Sequence, residues 1–267
     1  MPSELGFPRH PIMNAAVDDV TMAEALDLID RFVAERTPRV IVTVNVDHLM
    51  LMRRDLAFRE AYARADLITC DSTPLKWALA FLGTPIRERV PGADLFPAVA
   101  ERAARVGHRL FYLGAAPGVA ERAAETLRRR HPGLQVVGTY SPPVMAWEEL
   151  GRDEETLRRV EEARPDILFA AFGAPKQELW LDAVRDRLRV PVGIGVGGAF
   201  DFAAGETKRA PRWMQRAGLE WSFRLAQEPG RLWRRYLCVD SRFIYHVLIE
   251  KCRGRKAAAP SPPPAER

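Results

Sequence analysis

The sequence predicts a mostly parallel, doubly wound α/β sheet with a C-terminal helical appendage. Three observations lead there. Six short β-rich runs are apolar at nearly every position, as strands covered on both faces are. Helical patterns separate them at the spacing of crossover connections. Beyond Asp201 no further strand run follows, while helical periodicity continues.

In chain order, a helix is expected over residues 21–36, then a strand at 40–45 (VIVTVN). A helix at 55–64 leads into a second strand at 66–70 (DLITC), and Ser72-Thr73-Pro74 opens a helix over 74–82. A helix over 92–106 precedes the strand 109–113 (RLFYL), and one over 117–130, entered through Pro117, precedes 134–138 (LQVVG). A helix over 153–163 leads to 166–172 (DILFAAF), and one over 175–187, again begun by proline, leads to 190–196 (VPVGIGV). The basic loop 205–211 then gives way to helical patterns near 212–217, 219–227 and 231–251, interrupted at Pro229-Gly230. Three segments result: an α/β catalytic body over 1–206, a basic amphipathic helical appendage over 207–256, and a Pro/Ala-rich tail over 257–267 that is expected to be disordered.

Of the 267 residues, 47% are apolar and 28% charged, ordinary values for a globular chain that needs no disulfides to hold its core. Cys70, Cys238 and Cys252 form no CxxC pair, which points to a reducing compartment and away from a structural zinc site. The N-terminal MPSELGFPRHPIMN has no signal-peptide apolar run. The longest strongly apolar stretch, residues 167–175, is about half of the ~20 residues a bilayer-spanning helix takes. Charge is unevenly placed. Residues 207–256 hold thirteen Lys+Arg against four Asp+Glu, an excess of nine in a chain whose net charge is +5, which leaves residues 1–206 at −4. The same segment carries Trp213, Trp221 and Trp233, half of the tryptophans.

In an open parallel sheet, ligands bind beyond the carboxyl ends of the strands. Five strand ends deliver polar or small residues to that rim: Thr43, Asn45, Asp47 and His48; Asp71 to Pro74; Gly114 to Gly118; Gly173 to Glu178; and Gly197 to Asp201. GAAPG (114–118) and FGAPKQE (172–178) are small-residue turns opening helices, which present free N–H groups and partial positive charge to a diphosphate. Gly114, Gly118, Gly173 and Gly197 are therefore candidate nucleotide-diphosphate contacts, although each loop reads equally as a tight turn with its cap. Asp71, after a buried strand and before a helix entry, is the candidate general base, with a helix N-cap as its alternative. Asp47 and His48 stand open to the same two readings. Arg87 and Arg89 suit anion contact through bidentate geometry or plain solvation. No DxD pair occurs and no His/Cys/Asp cluster has metal-ligand spacing, so no metal and no cofactor are expected.

In the appendage, Trp233, Tyr236, Leu237, Asp240, Phe243, Ile244, Val247 and Leu248 recur at helical spacing as one stripe. Arg231, Arg234, Arg235 and Arg242 lie beside it, with Arg224 in the helix before. The stripe fits a helix docked on its own core or on a partner subunit. It fits equally a helix lying on an anionic bilayer with arginines on lipid phosphates. Nucleic acid suits it less, because the aromatics form a seam and not a stacking platform.

Together TVNVDHLMLMRRD, ADLITCDSTPLKWA, RVPGADLF, FGAPKQELW, GVGGAFDFAAGETKRAPRWMQRAGLEWSFRL and EPGRLWRRYL resemble the WecG/TagA/CpsF family of bacterial glycosyltransferases, in order from about residue 14 to 245. The resemblance implies a Rossmann-like catalytic domain that transfers a sugar from a UDP-sugar to a polyprenyl-diphosphate-linked sugar. Transfer would proceed with inversion and without a metal, on the inner face of the bacterial plasma membrane, in cell-surface polysaccharide synthesis. It places the base on Asp71 and substrate contacts on Thr43, Asn45 and Gln177; Arg89, Asp94 and Asp201 are further candidate substrate contacts. The acceptor's lipid diphosphate falls to Arg224, Arg231 and Arg234. Homo-oligomers are compatible with it, and nucleic acid is not a partner. One departure stands out: Ser72-Thr73-Pro74 replaces the glycine that usually follows the catalytic aspartate, which bears on sugar choice. The residues alone reach a nucleotide-binding α/β enzyme with a basic helical appendage. Its rivals are a nicotinamide-dependent oxidoreductase, disfavoured because no GxGxxG follows an early strand, and a basic nucleic-acid-binding protein.

Overall fold

The computed structural model describes residues 5–227, 229–233 and 241–252. An antiparallel hairpin comes first, β1 (Arg9–Ile12) and β2 (Ala15–Asp18). Then α1 (Met22–Glu35), β3 (Arg39–Val44), α2 (Val46–Met52), α3 (Leu56–Ala63), β4 (Leu67–Cys70), α4 (Thr73–Leu82), α5 (Gly92–Val106) and β5 (Arg109–Gly114) follow. The body is completed by α6 (Val119–Arg130), β6 (Gln135–Tyr140), α7 (Trp147–Leu150), α8 (Glu154–Ala163), β7 (Ile167–Ala171), α9 (Lys176–Leu188) and β8 (Val192–Gly195). Strands β3 to β8 form one wholly parallel sheet in the order β4-β3-β8-β7-β5-β6. The six expected strands and the seven expected body helices are all present, each end within two residues.

The unbroken apolar runs have a direct cause. Val40, Val42 and Val44 face a core shared with α2, α3, α4 and α9, whereas Ile41 between them faces a second core with α1, α5 and α6. Leu168 and Ala170 of β7 divide from Ile167 and Phe169 in the same way, so neither face leaves room for a polar residue. Not expected from the sequence were the hairpin and the helices α2 and α7. Five of the seven residues of α2 are buried, so no polar face marks its period.

Beyond β8 lie α10 (Ala199–Ala204), α11 (Arg212–Arg216), α12 (Glu220–Gln227), α13 (Pro229–Trp233) and α14 (Ser241–Cys252). As expected, the helical pattern is broken at Pro229-Gly230: α12 ends at Gln227 and Pro229 begins α13, where proline's missing N–H has no helical partner to lose. Residues 234–240, with Arg234, Arg235, Tyr236, Leu237, Cys238 and Asp240, are outside the described set, as is the tail. The appendage is docked: Phe243 and Val247, one turn apart on α14, are buried in the core beside α4. Ile244, Tyr245 and Leu248 of the same helix are exposed, together with Trp77 and Phe81 of α4 and Trp213 of α11. Among the described residues no helix is long and apolar enough to cross a membrane.

β4 is an edge strand, and the hairpin covers it. The buried Asp18 carboxylate accepts the Ile68 N–H at 2.9 Å and pairs with Arg9 at 2.7 Å, while Arg9 also donates to the Asp66 carbonyl at 3.1 Å. Asp18→Ala leaves both partners stranded against the edge strand. It should lower unfolding stability by about 3 kcal/mol, read as a lower urea midpoint with an unchanged slope.

Candidate active site

The helices that follow β3 pack on one face of the sheet, whereas α10, which follows β8, packs on the other. Since β3 and β8 are neighbours, the chain leaves these two adjacent strands in opposite directions and a crevice opens at their carboxyl ends. The crevice is a cleft of about 1030 Å³. Thr43, Asn45, Asp71, Arg89, Gly173, Gln177, Gly197, Asp201 and Arg224 all line it.

Asp71 extends from the end of β4 into this cleft. Its Oδ1 accepts the N–H of Gly92, the first residue of α5, at 3.1 Å, and its Oδ2 accepts from Asn45 Nδ2 at 3.4 Å. The N-cap alternative is set aside, because Ser72 occupies the cap position of α4 and no side chain bonds there. Gly92 suits a tight space: a Cβ would stand 3.3 Å from Thr43 Oγ1 and 3.4 Å from Val196 Cα. Asn45 serves two neighbours at once. Its Oδ1 caps α2 by accepting the His48 N–H at 3.1 Å, which turns Nδ2 toward Asp71. Burial pushes the Asp71 carboxyl above its ordinary range; the charge of Arg89 opposes that shift and the charge of Glu220 adds to it. Arg89 is held close, its Nη1 donating to the Asp71 carbonyl at 2.8 Å. A desolvated carboxylate, oriented by two donors and open to a cleft, is suited to accept a proton.

Gln177 is almost wholly buried and braces the opposite wall. Its Oε1 accepts the N–H groups of Gly173 at 3.1 Å and Gly197 at 3.0 Å, tying the loop after β7 to the loop after β8. Both glycines thus face the cleft as expected, but with their own N–H groups occupied. The Gln177 amide is fixed in turn by Glu178, whose Oε1 accepts from Nε2 at 2.8 Å. Gly114 and Gly118 are a correction: neither lines the cleft. Gly114 is needed for packing, since a Cβ there would lie 2.8 Å from the Ala171 carbonyl oxygen. Asp94 is another correction. It does not line the cleft and is engaged by Arg209, with one bond at 3.0 Å.

Arg87 is bound to Asp19 and Glu24 and is structural, whereas Arg89 enters the cleft. His48 is a packed histidine: buried, edge-on to Phe58 and Tyr62, its Nδ1 2.5 Å from the Tyr62 hydroxyl. Thr73 Oγ1 donates to the Gln215 carbonyl at 3.4 Å, so the Ser-Thr-Pro departure helps seat α11. Arg224 lies over the Phe202 ring at 5.6 Å, and its buried Nε has no partner among the described residues. The side chain of Arg231 and the whole of Arg234 lie outside the described residues. Two cleft residues, Arg209 and Glu220, escaped the sequence reading because they follow the last strand, although both fall within the GETKRAPRWMQRAGLEW stretch. Among the described residues no three His, Cys, Asp or Glu side chains gather as a metal site would need.

A carboxylate and several arginines at the carboxyl rim of an open parallel sheet define an α/β enzyme for a polar, anionic substrate. The chain belongs to the WecG/TagA/CpsF family of glycosyl transferases, whose description it matches over residues 10–257. It is 31% identical over 209 residues, 78% of either chain, to a Bacillus spizizenii N-acetylglucosaminyldiphosphoundecaprenol N-acetyl-beta-D-mannosaminyltransferase. Proteins of the same name from Staphylococcus aureus (29% over 249 residues, 92% of this chain and 94% of that one) and Bacillus subtilis (27% over 254 residues, 94% and 95%) match nearly end to end. The oxidoreductase and nucleic-acid readings give way to this membership.

Burial pushes the Glu178 carboxyl up to about 7, against the opposing Gln177 hydrogen bond, and its Oε2 is buried with no partner among the described residues. The unfolded chain loses this proton near the ordinary 4.5, whereas the folded chain keeps it until about 7. Wild-type stability contributed here is therefore full below pH 4.5 and is lost as pH rises to about 7. Glu178→Gln cannot ionise. Its melting temperature relative to wild type should climb across that window and then level off, an advantage of about 3 kcal/mol at pH 8 over pH 4.

Proposed function

We propose that the protein transfers an N-acetylmannosamine- or glucose-type sugar from a UDP-sugar to a polyprenyl-diphosphate-linked sugar. Asp71 acts as general base, with inversion and no resident metal. The observation that carries the reading is the Asp71 carboxylate, oriented by Gly92 and Asn45 and open to a cleft walled by arginines. The relatives' name, N-acetylmannosaminyl transfer to N-acetylglucosaminyl-diphosphoundecaprenol, supports the choice of substrates.

Asp71 takes the proton of the acceptor hydroxyl as that oxygen attacks the anomeric carbon and the UDP leaves from the opposite side. The charge developing on the leaving diphosphate is met by guanidinium groups. Arg224 suits this role or the lipid diphosphate, because a diphosphate oxygen would supply the acceptor its buried Nε lacks. Arg231 and Arg234, by the family pattern, join it on the acceptor side, and Thr43 and Asp201 meet sugar hydroxyls. The segment 207–256 serves as the acceptor module on the body 1–206. The acceptor's chain stays in the bilayer, so the cleft must come to the inner membrane face. Supporting this, the exposed Trp77, Phe81, Trp213, Ile244 and Leu248 lie on the elements beside the cleft, with Lys251 bonded to the Phe81 carbonyl at 2.8 Å. Aromatics and aliphatics fringed by lysine and arginine are the composition of an interfacial surface.

A panel of UDP-sugars against a short-chain polyprenyl-diphosphate N-acetylglucosamine, read by mass, should give product with UDP-N-acetylmannosamine or a UDP-glucose-type donor. No product with any UDP-sugar would sink the reading. Asp71→Asn should lower kcat about 10²- to 10⁴-fold with UDP affinity little changed, measured by calorimetry. Replacing Trp77 and Phe81 together by serine should release the protein from anionic vesicles on sedimentation while the folded melting transition is retained.

A further inference from the structure

Residues 207–256 are strongly basic, yet among the described residues this segment places one acidic side chain at the cleft. Glu220 begins α12. Its Oε1 accepts from Arg209 Nε at 3.1 Å, and its Oε2 lies 3.9 Å from Arg89 Nη1. Arg209 grips Asp94 with both terminal nitrogens, and Arg89 donates to the Asp71 carbonyl. A continuous chain therefore runs from Asp94 on α5 through Arg209, Glu220 and Arg89 to Asp71. About a fifth of each of the Arg89, Arg209 and Glu220 side chains is exposed, so solvent and salt screen these charges only in part.

An anion in a cleft that receives a diphosphate works against binding, so attraction of substrate does not explain Glu220. We propose that Glu220 is a positioning residue for transfer: it fixes Arg89 against Asp71 and Arg209 against the cleft wall, and its charge sets the electrostatic surroundings of the Asp71 carboxylate. The inference rests on Asp71 being the base. Among the described residues, Arg89 and Glu220 are the charges that act most on Asp71, and Asp47 lines the same cleft. Arg89, from the loop ahead of α5, favours the ionised carboxylate, and Glu220, from α12, disfavours it. Cys70 of β4, whose thiol burial pushes up to about 12, and Tyr62 of α3, raised well above its ordinary value by burial, are both neutral at working pH. Neutralising Glu220 removes an anion that opposes ionisation, so Asp71 loses its proton at lower pH.

The test is the pH dependence of kcat/KM for the full-length chain. In Glu220→Gln the acid limb should move down by about half a pH unit, with a several-fold fall in kcat at neutral pH. Glu220→Asp keeps the charge but draws it back from both arginines. It should lower kcat and leave the limb where wild type has it. An unmoved limb in a folded Glu220→Gln protein, checked by thermal melting, overturns the inference, since a plain strut would reduce activity without moving it. A displaced limb in Glu220→Asp overturns it as well. Wild type and Asp71→Asn measured alongside separate this result from the base assignment: Asp71→Asn with the wild-type rate and limb removes the base, whereas a normal Asp71 response with an unmoved Glu220→Gln limb removes only the role of Glu220.

Discussion

Everything at the site depends on holding one carboxylate, that of Asp71, partly desolvated at the end of an edge strand. Desolvation alone would neutralise or turn away such a group, so the fold supplies donors for both oxygens: the first N–H of α5 and the amide of Asn45. Each donor places a demand elsewhere. The approach of α5 leaves little room for a Cβ at Gly92, and Asn45 keeps its amide aligned because its carbonyl caps α2. The strand that carries Asp71 is secured in turn by the Arg9–Asp18 hairpin along its free edge.

The facing wall follows a different logic. Gln177 and Glu178 are buried side by side on α9, and their polar atoms serve the protein itself. One amide oxygen gathers two loop N–H groups and so fixes the spacing of the turns after β7 and β8. A charged group in the place of Gln177 would face the full cost of burial, whereas an amide donates and accepts there without it. Gly173 and Gly197 shape these turns through their left-handed backbone, with their own N–H groups already engaged.

The appendage combines two roles that its apolar stripe could not separate. Phe243 and Val247 complete the core beside α4, and Ile244, Tyr245 and Leu248 remain outside it. A stripe wider than the core needs is what leaves an apolar surface next to the cleft. The same segment reaches into the site through Arg209, Glu220 and Arg224, so its docking and the cleft's electrostatics are one arrangement.

The six strands, their parallel sense and most helix bounds were legible because continuous apolar runs between amphipathic helices admit few other packings. Asp71, Asn45 and Gln177 were legible for a related reason: strand ends converge on one rim whatever the loops do. The sequence could not say which strand ends lie together. The order β4-β3-β8-β7-β5-β6 brings the ends of β3, β4, β7 and β8 around the cleft and leaves the turn of Gly114 and Gly118 outside it, although GAAPG and FGAPKQE read alike. Nor could it separate Arg87 from Arg89, two residues apart, one paired with Asp19 and Glu24 and the other turned to Asp71. Local pattern determines what each segment becomes, since periodicity and apolar burial act along the chain. Partnership between distant polar groups was decided only by the tertiary fold, because hydrogen bonds and ion pairs depend on distances that the order of residues does not contain.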